Sequence, residues 1–168
     1  EGEDTSQSLP MSVTSLAFAD NQIIPIRHTC QGDNISPALI LQRVPPETKT
    51  LAIILKDIDG PMGVYPHWLI WGIPFEGMII SEGIGDIPLL LQELTSTTGI
   101  RQGMNYKKEY GYEGPCPPEG EQHRHVFTGY ALSDDITAMP EEIVDVASML
   151  HALEGKVLAQ GELTGLYP

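Results

Sequence analysis

Apolar residues occur along the chain in short runs that glycine and proline interrupt, and two such runs lie close together near its centre. Residues 51–55 read LAIIL, and residues 68–74 read WLIWGIP. Short apolar runs that are rich in branched residues and bounded by turn residues are typical of buried strands. The two runs therefore predict a pair of neighbouring antiparallel strands.

An acid-rich turn connects these two runs. Asp57, Asp59, Gly60 and Pro61 follow the first strand, and His67 stands immediately before the second. Aspartate, glycine and proline each favour turns, for different reasons. Antiparallel pairing would bring Asp57, Asp59 and His67 to one end of a sheet, an arrangement more typical of a site than of packing. An acid-rich turn is often only a solvated turn, so a site requires further polar groups here.

Five further segments complete a chain made mainly of strands. Each is short and bounded by turn residues, and the 17 glycines and 14 prolines fit an all-β class with many turns. The predicted strands are residues 12–18, 23–26, 39–44, 123–132 and 156–166. Residues 75–111 show little periodicity, and the apolar trio 89–91 within them fits a helix or a strand equally.

One helix is predicted, over residues 140–154. Pro140 suits the first helical position, the two glutamates after it suit the positive end of the helix dipole, and Gly155 suits the stop. Apolar residues at helical period predict its buried stripe: Ile143, Val146, Ala147, Leu150 and Leu153.

The length of 168 residues fits one domain. Residues 1–11 are mostly polar, which predicts a flexible N-terminal segment before a single domain at residues 12–168. The formal charge of −14 argues against nucleic acid and anionic membrane surfaces as partners. No apolar run is long enough for a membrane span. We expect a cytoplasmic protein, or a periplasmic or secreted one if a signal peptide was removed.

The two cysteines, Cys30 and Cys116, are too few for a disulfide framework and fit either one bridge or two reduced thiols. No CxxC pair is present, so a structural zinc site is not expected. Both cysteines lie in segments that read as loops. Residues 30–37 are polar and turn-rich, and residues 114–118 contain three prolines that preset the backbone.

A pair of histidines follows the proline-rich loop. Residues two apart on a strand face the same side, so His123 and His125 would share a face while Arg124 points the other way. A nucleophile formed by Cys116 with His123 is a weaker hypothesis, because thiolates need an electropositive setting.

Two kinds of site fit these residues. In an anion pocket, imidazoles and an open backbone would hold a phosphate or carboxylate group, and the two aspartates would orient the imidazoles. An aromatic wall would complete that pocket: Tyr65, Trp68 and Tyr112. In a metal-dependent hydrolase, four residues would bind the metal: Asp57, His67, His123 and His125. Their spacing along the chain matches no defined metal-binding motif.

Each of these residues also has a purely structural interpretation. His28 would be a surface residue, and His151 would lie on a helix face. His125 would be a hydrogen-bonded sheet residue, while Trp68 and Trp71 would belong to the core. From residue chemistry alone, a pocket and a structural cluster are equally supported.

The motifs, taken in order, resemble those of the phosphatidylethanolamine-binding protein family, and in particular its bacterial and archaeal Raf-kinase-inhibitor-like branch. The resemblance runs from about residue 15 to residue 166, and ordered motifs over that length are far more specific than any one of them. The matching residues are Asp57-x-Asp59-x-Pro61, His67-Trp68, residues 114–118 and His123-Arg124, together with residues 30–37 and Gly103-x-Asn105.

The resemblance implies a mostly β fold, with a large central antiparallel sheet, a smaller sheet packed on it and a C-terminal helix. It implies a binding protein rather than an enzyme, with no catalytic residue, metal or cofactor. The ligand would be a small anion, a phosphate or phosphorylated headgroup. The protein would regulate a kinase or a protease. Whether it forms a homodimer is left open by the resemblance. The implied pocket consists of Asp57, Asp59, His67, Gly114, Pro115 and His123, with Tyr65, Trp68, Tyr112 and His125 at its rim.

The sequence departs from the family pattern around this pocket. Ile58 and Gly60 replace the usual proline and alanine of the aspartate turn, which gives its backbone more freedom. His125 stands where the family usually has tyrosine, so an imidazole replaces a phenol. This replacement slightly favours the hypothesis of a metal-dependent hydrolase. Residues 106–108 differ from the usual Asp-Phe-Gly.

Overall fold

The structure, a computed structural model, describes residues 10–86 and 99–168. Predictions for residues 1–9 and for the trio 89–91 lie outside the described residues. Met11, at the end of the predicted N-terminal segment, is buried in the core.

The described residues form two β-sheets, which confirms the predicted fold class. The larger sheet has the strand order β2-β9-β8-β4-β5-β7, and the smaller has the order β1-β3-β6. All pairs are antiparallel except β2 with β9. The strands are β1 (Ser12–Thr14), β2 (Gln22–Ile23), β3 (Leu39–Gln42), β4 (Thr50–Asp57), β5 (Tyr65–Pro74), β6 (Ile79–Ile80), β7 (Arg101–Gln102), β8 (His123–Leu132) and β9 (Val157–Tyr167).

The predicted central pair is β4 with β5, and β8 lies on the other side of β4. Both central strands extend further than their apolar runs, so that Asp57 and His67 belong to strands and not to the turn between them. Near the N-terminus the strands are shorter than predicted. Residues 15–18 leave β1, and Ile26 begins a 3-10 turn, Ile26–His28.

Side chains of β4 alternate between two cores, one on each face of the larger sheet. Leu51, Ile53 and Leu55 belong to the core between the two sheets. Ala52 and Ile54 belong to the core on the opposite face, together with residues of the helix. Each large apolar side chain that is fully buried contributes about 1.5–3 kcal/mol, so this strand stabilises both faces of the molecule.

The two tryptophans of β5 also divide between these cores. Trp68 belongs to the core between the sheets, and Trp71 belongs to the core beneath the helix. Both are fully buried. The indole N–H of Trp68 donates to Oε1 of Gln102 at 2.7 Å.

The predicted helix over residues 140–154 is wrong at its start. The α-helix α1 runs over Val146–Leu153, whereas Pro140–Glu142 form only a single 3-10 turn. Asp145 is the true N-cap, because its carboxylate accepts from the main-chain N–H of Ser148 at 2.8 Å.

The later start of α1 also changes its buried face. Met149 and Leu153, which are four residues apart, are buried against the larger sheet, together with Ile143 from the segment before the helix. Leu150, predicted for the buried stripe, is 43% exposed. The predicted burial of Ile143 and Leu153 is thus confirmed and that of Leu150 is wrong, because Ile143 precedes the helix and does not fix its phase.

Candidate functional site

A β-bulge turns His67 towards the site. The pairing of β5 with β4 shifts by one residue between Leu55 and Lys56: Trp68 opposes Leu55, whereas Pro66 opposes Lys56. His67 is left between them without a partner across the sheet. Bulges of this kind re-aim side chains and are common beside functional sites.

Asp57 and His123 form a buried pair at this end of the larger sheet. Nδ1 of His123 lies 2.6 Å from Oδ2 of Asp57, and both side chains are less than a tenth exposed. The other ring nitrogen, Nε2, lies 2.9 Å from the carboxylate of Glu121, which is 54% exposed. Burial lowers the pKa of His123, but its hydrogen bonds to the two carboxylates outweigh burial, so the pKa is raised. His123 therefore favours its charged form.

The His67 ring is fixed by the main chain of the neighbouring loop. Its Nδ1 lies 2.7 Å from the carbonyl oxygen of Glu113. A carbonyl can only accept, so Nδ1 carries the proton and the neutral ring keeps a lone pair on Nε2. Burial lowers the pKa of His67 and outweighs the opposing hydrogen bond to Glu113. The ring is therefore neutral at physiological pH.

His125 lies behind these groups and is completely buried. Its ring centroid lies 5.3 Å from that of His67, with the rings nearly perpendicular, and 6.4 Å from that of His123. Burial, followed by repulsion from His67, lowers the pKa of His125 to about 4. The main chain of His123 weakly favours the charged ring, yet within the described residues no hydrogen bond of normal geometry reaches either ring nitrogen.

A pocket of about 230 Å³ opens in front of these residues. Three strands contribute to it from the same end of the larger sheet. The proline-rich loop supplies the opposite wall. The residues that line the pocket are Asp57, Pro61, Tyr65, His67, Tyr106, Cys116, Pro117, Pro118 and His123.

The two loops that the sequence singled out pack against each other beside this pocket. Cys30 and Cys116 form a disulfide, which answers the open question of their pairing. The main-chain N–H of Cys30 donates to the carbonyl of Pro115 at 3.2 Å, and that of Gly114 donates to the side chain of Asn34 at 2.8 Å. A Cβ at Gly114 would lie 2.2 Å from the carbonyl oxygen of His28, so the close approach requires glycine.

Asp57, His67 and His123 are thus the predicted ligand-binding residues that the structure brings together at the pocket surface, with Tyr65 from the predicted rim. Gly114 and Pro115 lie in its supporting loop and do not line it.

Asp59 faces away from the pocket. Its carboxylate accepts from the main-chain N–H of Arg124 at 2.8 Å and from the guanidinium at 2.9 and 2.7 Å. The hydrogen bond to the Arg124 side chain lowers the pKa of Asp59 to about 2. The predicted opposite directions of Arg124 and His123 on β8 agree with this placement.

Trp68 and Tyr112, which were expected at the rim, belong to the core instead, where their rings meet edge to face. The Tyr112 hydroxyl donates to the carbonyl of His28 at 2.6 Å. The surface interpretation of His28 is wrong, because its side chain is buried and its Nδ1 lies 2.9 Å from the carbonyl of Ile35. Contacts between loops bury it, and its local sequence carries no signal of them.

Sequence reasoning missed several groups around the pocket. The Tyr106 ring lies 4.7 Å from that of His67, and burial raises the pKa of its hydroxyl, which stays protonated. The Glu113 carboxylate pairs with Lys107 at 2.6 Å and accepts from Asn34 at 3.0 Å behind the His67 contact. Glu121 lies two residues before His123, outside β8, and its carboxylate reaches Nε2 of His123 at 2.9 Å.

The fold and the site define a mostly β protein with a small polar pocket at one end of its larger sheet. The model of the family described as phosphatidylethanolamine-binding protein matches residues 14–168. The chain belongs to the phosphatidylethanolamine-binding protein family.

Relatives in archaea and bacteria resemble the chain over most of its length. A UPF0098 protein of Methanothermobacter thermautotrophicus is 40% identical over 157 residues, which cover 94% of this chain and 98% of the relative. A UPF0098 protein of Aquifex aeolicus is 35% identical, with 94% of this chain and 88% of the relative covered.

Solved structures with a similar fold include two crystal structures. That of CT736 from Chlamydia trachomatis, described as a homologue of the phosphatidylethanolamine-binding protein, has a TM-score of 0.78 and 34% identity and covers 95% of this chain and 97% of its own. That of Escherichia coli YbcL, described as a member of the mammalian family, has a TM-score of 0.79 and 27% identity, covering 95% and 98%. Among the described residues, no helix has the length and apolarity that a membrane crossing requires.

Proposed function

We propose that the protein binds a small anion, a phosphate or phosphorylated headgroup, and catalyses no reaction. The observation that carries the proposal is the environment of His123. Its ring favours the charged form, and its Nε2 is held by Glu121, a carboxylate that is more than half exposed. Glu121 thus occupies the place where an oxygen of an external anion would bind, and such an anion would displace it.

The rest of the pocket suits a small, protonated oxyanion. Tyr65 and Tyr106 supply aromatic walls with hydroxyl groups, and the raised pKa of Tyr106 keeps its hydroxyl a donor. Nε2 of His67 and the carboxylate of Asp57 are acceptors, which suit the P–OH groups of a phosphate monoanion. A volume of about 230 Å³ limits the ligand to a headgroup-sized molecule.

Calorimetric titration with inorganic phosphate tests the proposal. His123→Gln should weaken binding about tenfold or more, since a hydrogen bond to a charged group contributes about 1.5–3 kcal/mol. Glu121→Gln should strengthen it, because the competing charge is removed. His151→Gln, a change at an exposed helix residue, is the matched control. Equal phosphate affinity in the wild type and His123→Gln would reject the pocket.

The kinase or protease partner that the resemblance implies stays a prediction. A docking segment of such a partner would reach the same pocket, so phosphate should compete with it. The comparisons give no support to the metal-dependent hydrolase.

A further inference from the structure

His125 has a property that anion binding leaves unexplained. It is completely buried, and within residues 10–86 and 99–168 neither of its ring nitrogens has a hydrogen-bond partner. A buried polar group left unpartnered costs about 1–3 kcal/mol. An unpartnered buried ring directly behind a pocket calls for an explanation, such as an ion that binds one of its nitrogens.

The atoms in front of His125 are grouped as metal ligands are. One oxygen of Asp57, one ring nitrogen of His67 and one of His125 all lie within 4.8 Å of one another, and all three residues are buried. Nε2 of His125 lies 3.8 Å from Oδ2 of Asp57, which is too far for a hydrogen bond. Ligand atoms at about 2.0–2.1 Å from a tetrahedral zinc ion lie about 3.4 Å apart, so small side-chain rotations would close the set.

The surrounding contacts orient these ligands. The carbonyl of Glu113 holds the proton on Nδ1 of His67 and leaves Nε2 free to coordinate. Nδ1 of His123 bonds to the Asp57 carboxylate at 2.6 Å. Histidine and carboxylate ligands of metals are commonly oriented by such outer contacts. His123 uses both ring nitrogens on carboxylates and therefore belongs to the supporting contacts and not to the ligand set.

We propose that Asp57, His67 and His125 bind a divalent transition metal ion such as zinc, with a fourth coordination position open to the pocket. Two imidazoles and one carboxylate suit such ions, and three protein ligands with one open position are an established zinc geometry. The site goes beyond anion binding and does not depend on it. A bound dication would use the acceptor atoms that Asp57 and His67 otherwise offer to a P–OH group, and its positive charge would then face an anion in the pocket.

Metal titration of chelator-treated, dialysed protein tests the site. Calorimetry with Zn²⁺ should give one ion per chain, and Co²⁺ should give the visible absorption bands of a four-coordinate ion. His125→Gln and His67→Gln should each weaken Zn²⁺ binding by about 100-fold or more, since loss of even an outer contact costs 10–100-fold. His151→Gln changes an exposed histidine and should leave binding intact.

Absence of stoichiometric binding to the wild type would overturn the proposal, as would full affinity in both His125→Gln and His67→Gln. Circular dichroism confirms that each variant is folded, and His125→Phe provides an apolar replacement if glutamine destabilises the core. Phosphate titration before and after Zn²⁺ loading separates the two proposals. Phosphate binding without any metal binding rejects only the metal site, and metal binding without phosphate binding rejects only the anion site.

Discussion

The Asp59 carboxylate accepts three hydrogen bonds from Arg124, and this contact has a consequence for stability at low pH. The folded protein lowers the pKa of Asp59 from 3.8 to about 2. A carboxyl group with a lowered pKa in the folded state stabilises the fold at pH values above its unfolded-state pKa of 3.8. That contribution is lost as the pH falls towards 2. The pair therefore contributes to stability at neutral pH and not in strong acid.

We predict that Asp59→Asn reduces the difference in unfolding free energy between pH 5 and pH 2. Urea unfolding of the wild type and the variant at both pH values measures this difference. Arg124→Gln removes the partner and should have the same effect. An identical pH dependence in the wild type and Asp59→Asn would contradict the assignment.

Single residues divide into those that a pattern can place and those that it cannot. Strand alternation correctly predicted that the side chains of His123 and Arg124 point to opposite faces of the sheet, because the direction of a side chain on a strand depends only on spacing. The direction of Asp59 depends on the turn after β4, and the burial of His28 depends on packing between distant loops. Neither position carries a local signal, so the sequence wrongly predicted a surface position for His28 and a pocket position for Asp59.

At the scale of elements, the loop of residues 114–118 forms one wall of the pocket, and the loop of residues 30–37 packs against it. The Cys30–Cys116 disulfide joins them across 86 residues of sequence. A bridge that closes a long loop stabilises mainly by restricting the unfolded chain. The pocket wall therefore has a covalent tie in addition to its main-chain hydrogen bonds.

We expect the double variant Cys30→Ser, Cys116→Ser to lower the unfolding free energy by about 2–5 kcal/mol, the usual cost of losing a native disulfide. Guanidinium unfolding measures it, and the wild type under a dithiol reductant is the matched control. The prediction fails if the double variant and the reduced wild type both unfold at the denaturant midpoint of the oxidised wild type.

Apolar runs predicted seven of the nine strands in the described residues, but not where those strands end. They missed β6 and β7, which lie in the segment of little periodicity over residues 75–111. β4 and β5 continue into polar residues because pairing with β8 and the bulge at His67 extend the ladder. The proline and glutamate signals at residue 140 predicted the start of the α-helix, but they mark a separate 3-10 turn, Pro140–Glu142. The cap at Asp145 decides the α-helix, because its carboxylate satisfies an otherwise free N–H group.

At the scale of the whole molecule, the net charge of −14 acts against compactness. Like charges repel one another more strongly in the folded chain than in the expanded one, and salt screens this repulsion. We predict that the midpoint of thermal unfolding rises as sodium chloride increases from 0.01 to about 0.15 M, where the Debye length falls from about 30 to about 8 Å. Calorimetric scans measure the midpoint; a falling midpoint would mean that favourable ion pairs such as Asp59–Arg124 dominate.

The order of motifs along the chain predicted the fold, whereas spacing alone did not. β4 lies between β5, its neighbour in sequence, and β8, whose His123 is 66 residues from Asp57. Apolar periodicity contains no information about so distant a partner. The resemblance to a family supplied it, and with it the convergence of Asp57, His67 and His123 at one pocket.

The division of Trp68 and Trp71 between the two cores gives the molecule a built-in pair of optical reporters. These are the only two tryptophans of the chain, and they stand on one strand with their indoles on opposite sides of the larger sheet. Fluorescence of a variant that retains one of them senses the layer between the sheets or the layer beneath α1. Whether the two layers melt together or in sequence is therefore open to direct observation without any added label.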